Sequence, residues 1–517
     1  MTGTSGDGAD ETLGFMRQFQ QLLRRMGECL PDDAPSGEPL EPVLTSHLGE
    51  PAATLAVVTE NVPPHRVVDA DIALAQIAGE DPAARIVGLS GDMRHHMQLG
   101  DILGHGRRGP VRLGQVDYLQ MDTGPGPDDR RQVVSSGVHL FHVDGRPVVV
   151  RVQGRNPQYG REQATMEVIA PERDVSEALI GRLRELMDTH SVIRGQVVTL
   201  AGDPYGHGMS GLTYVQRPTI DGNAVILPDG LLDRVARHVV GMGAHRERLL
   251  AHGQHLKRGV LLYGPPGTGK THTVRYLLSA TPGTTAVLLS GGSLQYIHDA
   301  AKIARAHQPA LVVLEDCDLI AEDRSMGMGS SPLLFEVLDA LDGLDADADV
   351  VFLLTTNRVE DLEVALAQRP GRVDLAAEIP LPDSAGRLAL LRLYGGHLFG
   401  PEALSAAAAR SEGTTASFTK ELVRRAVLTA AVADEPPSDE HLGVALDELM
   451  SDTERLTRSL LGVGADELAG GPDGPGGFGG PGGPGFGGPG MMGPGMMVRG
   501  RPMRSRASFA YDPTVPH

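Results

Sequence analysis

Tryptophan is absent from this chain, and phenylalanine and tyrosine bring the aromatic share to only 4%. Single-stranded nucleic acids are held on aromatic platforms interleaved with basic groups, and little here could build one. Basic excess is lacking as well: 46 lysines and arginines face 66 aspartates and glutamates, a formal charge of −20. A non-specific nucleic-acid binder displaces counterions with a basic surface, so this balance argues against that class. Only two cysteines occur, Cys29 and Cys317, which excludes a disulfide framework and fits a reducing compartment. No apolar run approaches the roughly 18 residues that span a bilayer. The first residues, with Asp7, Asp10 and Glu11, are acidic where a signal peptide starts basic. Together these absences give the expectation of a cytoplasmic protein without a membrane span.

What is present is enough apolar material for real cores: 41% of 517 residues, a length that suggests two or three domains. Residues 1–45 begin with a small, polar stretch expected to be disordered. Within them Phe15, Phe19, Leu22, Leu23, Met26 and Leu30 recur at helical spacing, with Arg17, Arg24 and Arg25 on other faces. This reads as a docking helix for its own domain or, in the sharper alternative, as an exposed helix for a partner or for self-association. Pro31–Pro42 looks like a linker.

Residues 46–224 are expected to form an α+β accessory domain. Residues 43–104 suggest short helices, notably around Val67–Ala78, and strands are predicted at Val111–Gln120, Gln132–Val143, Pro147–Val152 and Thr165–Ile169. Val143-Asp144-Gly145-Arg146 suits a hairpin turn. A helix over Val175–Thr189 follows, then strands at Val192–Ala201 and Leu212–Gln216. The pair His95-His96 and the lone His207 lack the neighbours of a metal ligand set and read as surface histidines.

From residue 225 to 383 strands and helices alternate, the pattern of a parallel sheet wrapped by helices. Leu231–Leu250 reads as an amphipathic helix or helix pair. Strands are expected at Val260–Tyr263, Ala286–Ser290, Ala310–Glu315, Val350–Thr355 and Ala377–Ile379. Residues 384–465 then read as helical, with Ala385–Tyr394, Pro401–Arg410, Ser417–Ala433 and Asp439–Met450 as the four segments. Residues 466–517 are a tail rich in Gly, Pro and Met, a composition that cannot offset chain entropy by burial and is expected to be disordered. The fold class is therefore α/β with an α+β domain before it and a helical lid after it.

Between the first of these strands and a helical segment lies Gly264-Pro265-Pro266-Gly267-Thr268-Gly269-Lys270-Thr271. Strand, glycine-rich turn and helix is the context of a phosphate-binding loop: backbone N–H groups converge on phosphate oxygens, and the helix N-terminus adds a favourable dipole. In such a loop Lys270 reaches the outer phosphates, and the Thr271 hydroxyl is a Mg²⁺ ligand. Further on, Leu311-Val312-Val313-Leu314 ends in Glu315-Asp316. Carboxylates at the C-terminal end of a parallel strand face the ligand crevice, where one can organise a metal and the next can polarise a water. Asn357 closes the following strand and could hold that water. Arg369 and Arg372 add two guanidinium groups suited to charge on a transferred phosphoryl group.

In this order these residues resemble the AAA family of P-loop ATPases, over Val225 to about Met450. Gly264–Thr271 looks like Walker A, Leu311–Asp316 like Walker B, Asn357 like sensor 1, and Thr356–Asp374 like the second region of homology. Ile226–Gly259 and Arg369–Leu375 look most like the mitochondrial Rieske-protein translocase branch, although that branch has a membrane anchor and none is seen here. The resemblance implies ATP and Mg²⁺ as cofactors, with Thr271 and Glu315 at the metal. It also implies a ring of identical subunits, usually a hexamer, in which Arg369 and Arg372 act as arginine fingers in a neighbour's site.

Two departures stand out. The family usually ends Walker B in Asp-Glu, whereas this chain has Glu315-Asp316, which leaves the second carboxylate one methylene shorter. The aromatic-apolar pair expected at a central pore has Tyr296-Ile297 as its nearest candidate, in a short loop without the usual following glycine. The leading expectation is an ATP-driven remodeller of a protein client, and the alternative is a nucleotide-gated scaffold. A built-in metalloprotease is disfavoured, because no His-Glu-x-x-His string occurs.

Overall fold

The computed structural model describes residues 37–90, 96–104, 111–157, 160–202, 209–317, 347–358 and 373–451. The helix expected at 14–30, the histidines His95 and His207, the arginines Arg369 and Arg372, and the glycine-rich tail lie outside these residues.

An antiparallel sheet comes first. Its strands are β1 (Val57–Val62), β2 (Arg85–Leu89), β3 (Leu113–Gly114), β4 (Asp117–Asp122), β5 (Arg130–Val143), β6 (Arg146–Gln153) and β7 (Ala164–Ile169). They run in the order β1-β7-β6-β5-β2-β3, with β4 paired to the first half of β5. Alternation decides its two faces. Val148, Val150 and Val152 of β6 pack under helices Val67–Ala78 and Arg173–Thr189, while Val149 joins the opposite core with helix Leu40–Leu48. The β5–β6 turn has φ 51° at Asp144 and 78° at Gly145, the double positive φ of a tight hairpin. The single strand expected at Val111–Gln120 is two strands instead. β3 pairs with β2 and β4 with β5, so the chain must change neighbours between them.

The second sheet holds β8 (Val197–Gly202), β9 (Met209–Val215), β10 (Arg258–Tyr263), β11 (Thr285–Ser290), β12 (Ala310–Glu315), β13 (Val350–Thr356) and β14 (Leu375–Glu378). Its order is β14-β10-β13-β12-β11-β8-β9, parallel throughout except for the β8–β9 pair. β10 to β13 are almost wholly buried, which is why they read as unbroken apolar runs rather than as alternation.

This topology corrects the grouping of residues 197–215 with the accessory domain. β8 lies parallel to β11 and buries Val197, Val198 and Leu200, so the strand pair completes the second sheet and covers what would be its open edge. The stretch Leu231–Leu250, expected as a helix or helix pair, forms helix Leu231–Ala236, a π-helical turn Arg237–Gly241, a single-turn helix Met242–Ala244 and helix Arg246–Ala251. Helices Ser384–Gly395, Pro401–Arg410, Ala416–Val432 and Asp439–Met450 bury Leu391, Leu404, Phe418, Leu422 and Leu446 in one small core, the expected helical lid.

Candidate nucleotide site

The glycine-rich loop leaves β10 and enters helix Lys270–Ser279 through three glycines at positive φ: 140° at Gly264, 76° at Gly267 and 112° at Gly269. Gly264 has a second constraint. A Cβ there would sit 2.2 Å from the Ile379 carbonyl oxygen, because β14 and the residue after it run directly alongside; Ile379 N–H donates to Tyr263 O at 2.7 Å. Thr268 Oγ1 donates to Pro265 O at 2.9 Å and so fixes the turn. Lys270, only 5% exposed, bends back over the loop, and its Nζ donates to Gly264 O and Pro265 O at 2.7 and 2.8 Å. The loop therefore presents backbone N–H groups and one ammonium group at a helix N-terminus, a cradle for an anion.

A cavity of about 480 Å³ opens over this loop. Pro266 to Thr271 form its floor, with Asp316 and Asn357 from the ends of β12 and β13. Asp316 sits at φ 52°, a left-handed conformation that aspartate tolerates, and its N–H donates to Thr355 Oγ1 at 3.0 Å. Glu315 precedes it at the strand end. Burial and the neighbouring Asp316 charge raise the Glu315 pKa, while Arg275 on the loop's own helix pulls it the other way. Among the described residues no group of three or more His, Cys, Asp or Glu side chains could cage a metal.

The far wall comes from elsewhere in the chain. Ala224 to Leu227 lie on one side, held by a hydrogen bond between His272 Nε2 and Ala224 O at 3.0 Å. Leu390, Tyr394, Ser417 and Lys420 of the helical lid lie on the other. The lid is tied to the loop itself: Ser417 N–H donates to Gly267 O at 3.1 Å. An apolar slot next to an anion cradle is what a nucleoside phosphate requires.

Sequence reasoning had pointed to Gly264–Thr271, Glu315, Asp316 and Asn357; of these Pro266–Thr271, Asp316 and Asn357 line the one cavity, while Gly264 and Pro265 precede it in the loop and Glu315 is not among its lining residues. It had missed Arg275, Leu390, Tyr394 and Lys420, which carry no local signal. It had also missed Arg217, whose guanidinium donates to the Leu278, Thr281, Thr284 and Gly195 carbonyls and so pins the end of the loop's helix to β8's lead-in. Tyr296, the pore-loop candidate, is half-buried and packs on the second sheet's core, with its hydroxyl close against Gly202 of β8.

Residues 260–381 match the family model described as ATPase family associated with various cellular activities (AAA). The chain is 26% identical over 385 residues to ATP-dependent zinc metalloprotease FtsH 1 of Thermomicrobium roseum, covering 68% of this chain and 57% of that protein. It is 36% identical over 154 residues to 26S proteasome regulatory subunit 10B of Dictyostelium discoideum, covering 27% of this chain and 39% of that one. It is 35% identical over 150 residues to the proteasome-activating nucleotidase of Methanospirillum hungatei, covering 26% and 36%. The chain thus spans between about a third and just over half of the length of these relatives.

Proposed function

Residues 260–381 are a domain of the AAA family of ATPases, and from that premise we propose that this chain binds ATP with Mg²⁺, hydrolyses it and spends the cycle on remodelling a protein client. The observation that carries the reading is the convergence on one cavity of the phosphate loop, Asp316, Asn357 and the lid residues Leu390, Tyr394 and Lys420, drawn from segments far apart in the chain.

In this reading Gly264–Thr271 hold the phosphates, with Lys270 swinging from its loop carbonyls onto the outer ones. Thr271 and Glu315 hold Mg²⁺, which when bound neutralises charge on the phosphate oxygens. Asp316 polarises the attacking water, and Asn357 orients it. Arg369 and Arg372 reach the same site from a neighbouring copy, which makes the working unit a ring, with a hexamer as the expected size. The relatives' names include a zinc metalloprotease, but these 517 residues contain no His-Glu-x-x-His string, so the proposal takes the ATPase and not the peptidase.

The test is a pair of variants. Lys270→Ala should abolish binding of a fluorescent ATP analogue. Asp316→Asn should bind it and lose turnover; unchanged turnover would remove Asp316 from the mechanism. Proteins captured by the Asp316→Asn chain with ATP then identify the client.

A second reading, a nucleotide-gated scaffold, draws on the packing of Tyr296 against Gly202 rather than outward. Capture of its own copies alone by the Asp316→Asn chain would favour it.

Among the described residues no helix is long and apolar enough to cross a membrane.

A further inference from the structure

The antiparallel sheet carries an apolar groove that the nucleotide chemistry does not use. It has a volume of about 450 Å³ and lies between helix Val67–Ala78 and the β4–β5 ribbon. Leu74, Val134, Val152 and Met166 lie deep in it, each less than 8% exposed. Its rim is Tyr118 and Leu119, each 54% exposed, an unusual pair of large apolar side chains to leave in water. The charged side chains at its borders are already matched: Asp71 pairs with Arg131 at 2.8 Å and Arg155 with Glu162 at 3.6 Å. A groove of this kind takes an apolar occupant and has no charge to offer a polar one.

We propose that the occupant is the chain's own segment 14–30, seated in cis with its apolar stripe in the groove. Phe15, Phe19, Leu22, Leu23, Met26 and Leu30 fall at i, i+4, i+7, i+8, i+11 and i+15, the spacing by which a helix lays one face into a groove. Arg17 and Arg24 fall on the opposite side, where they stay in water.

Reach supports the cis arrangement. The described chain starts at Gly37, whose carbonyl accepts from Arg112 Nη1 at 2.6 Å, while Leu113 N–H donates to Glu38 O at 2.8 Å. The groove rim at Tyr118 is five residues beyond Leu113, at most about 18 Å along an extended chain. Residues 31–36 span up to about 20 Å when extended, so Leu30 arrives at the rim with slack. Tethered this closely, the segment has an effective concentration that a free peptide lacks.

Native Cys29 lies beside the stripe and makes the test direct. In the full chain carrying Leu119→Cys, a short bismaleimide should join position 119 to Cys29 within one molecule, mapped by proteolysis and mass spectrometry. The same reagent with Glu177→Cys, on the exposed face of helix Arg173–Thr189, should give roughly tenfold less product or none. Adding Phe19→Asp and Leu22→Asp to the Leu119→Cys chain should abolish the link and increase binding of an apolar dye, with circular dichroism unchanged. The proposal is overturned if no link forms while Cys29 reacts freely with a maleimide. It is overturned equally if the link joins two molecules, which would make a second copy the occupant, or if the double aspartate variant links as well as before.

Discussion

Asp316 and Thr355 stand 39 positions apart in the chain, yet the Asp316 N–H donates to Thr355 Oγ1 at 3.0 Å. The bond joins the ends of two neighbouring parallel strands and holds Asp316 in its left-handed conformation over the cavity. Thr355 is 1% exposed, so no water replaces it. The isosteric change Thr355→Val should therefore leave the fold and nucleotide binding intact and release the carboxylate from its position. Turnover should fall by about tenfold, the equivalent of one hydrogen bond with a partner left unmade. Steady-state ATPase assays alongside nucleotide titration check this; a fall in affinity with constant turnover would place Thr355 in binding instead.

Glu315 gives a pH dependence with a definite sign. Burial and Asp316 raise its pKa above the usual carboxylate value of 4.5, and Arg275 opposes them. Protonation removes the anion proposed to hold Mg²⁺, so Mg²⁺-dependent ATP binding should weaken on acidification starting above that value. Arg275→Ala removes the opposing cation and should move the acid limb to higher pH. Binding titrations across pH in both chains measure it. An unmoved limb would separate Glu315 from the metal.

Gly264 is fixed by its neighbour as much as by its own backbone. Gly264→Ala would put a Cβ 2.2 Å from Ile379 O at a φ of 140°, and the edge strand β14 would have to give way. The expected cost is on the order of 3 kcal/mol, with loss of nucleotide binding. Gly253→Ala is the control: φ is 70° there, but nothing lies within 4 Å, so strain alone of about 1 kcal/mol should appear. Thermal unfolding of both variants separates contact from conformation.

His139, in β5 of the antiparallel sheet, is 4% exposed, and its Nε2 is buried with no hydrogen-bond partner. Burial lowers its pKa from 6.5 to about 4. A histidine with a depressed folded pKa contributes stability that is complete above 6.5 and is lost as pH falls toward 4. Going from pH 7 to pH 5 should cost about 2 kcal/mol from this residue. Urea unfolding at the two pH values measures the difference, and His139→Leu should remove that part of it.

Much of this protein was legible before folding was considered. The phosphate loop, the order of strands from Val260 to Ile379 and the four lid helices rest on local features: glycine punctuation, short apolar runs and 3.6-residue spacing. Helix Val67–Ala78 and the Asp144-Gly145 turn were legible for the same reason, since neighbouring residues alone set them.

The sequence by itself determined most of the helices, the strands from Val260 to Ile379 and where the phosphate loop lies, because those choices are made within a few residues; β1, β2 and the break between β3 and β4 were not legible in it. Only the tertiary structure decided that β8 and β9 belong to the nucleotide sheet and that Arg217 pins the loop's helix. It also decided that Tyr296 packs against Gly202, and that Leu390, Tyr394 and Lys420 reach a cavity whose floor lies over a hundred residues earlier. Those are contacts across long loops, fixed by which buried faces fit together and which strand edge still lacks a neighbour, and no local pattern encodes them.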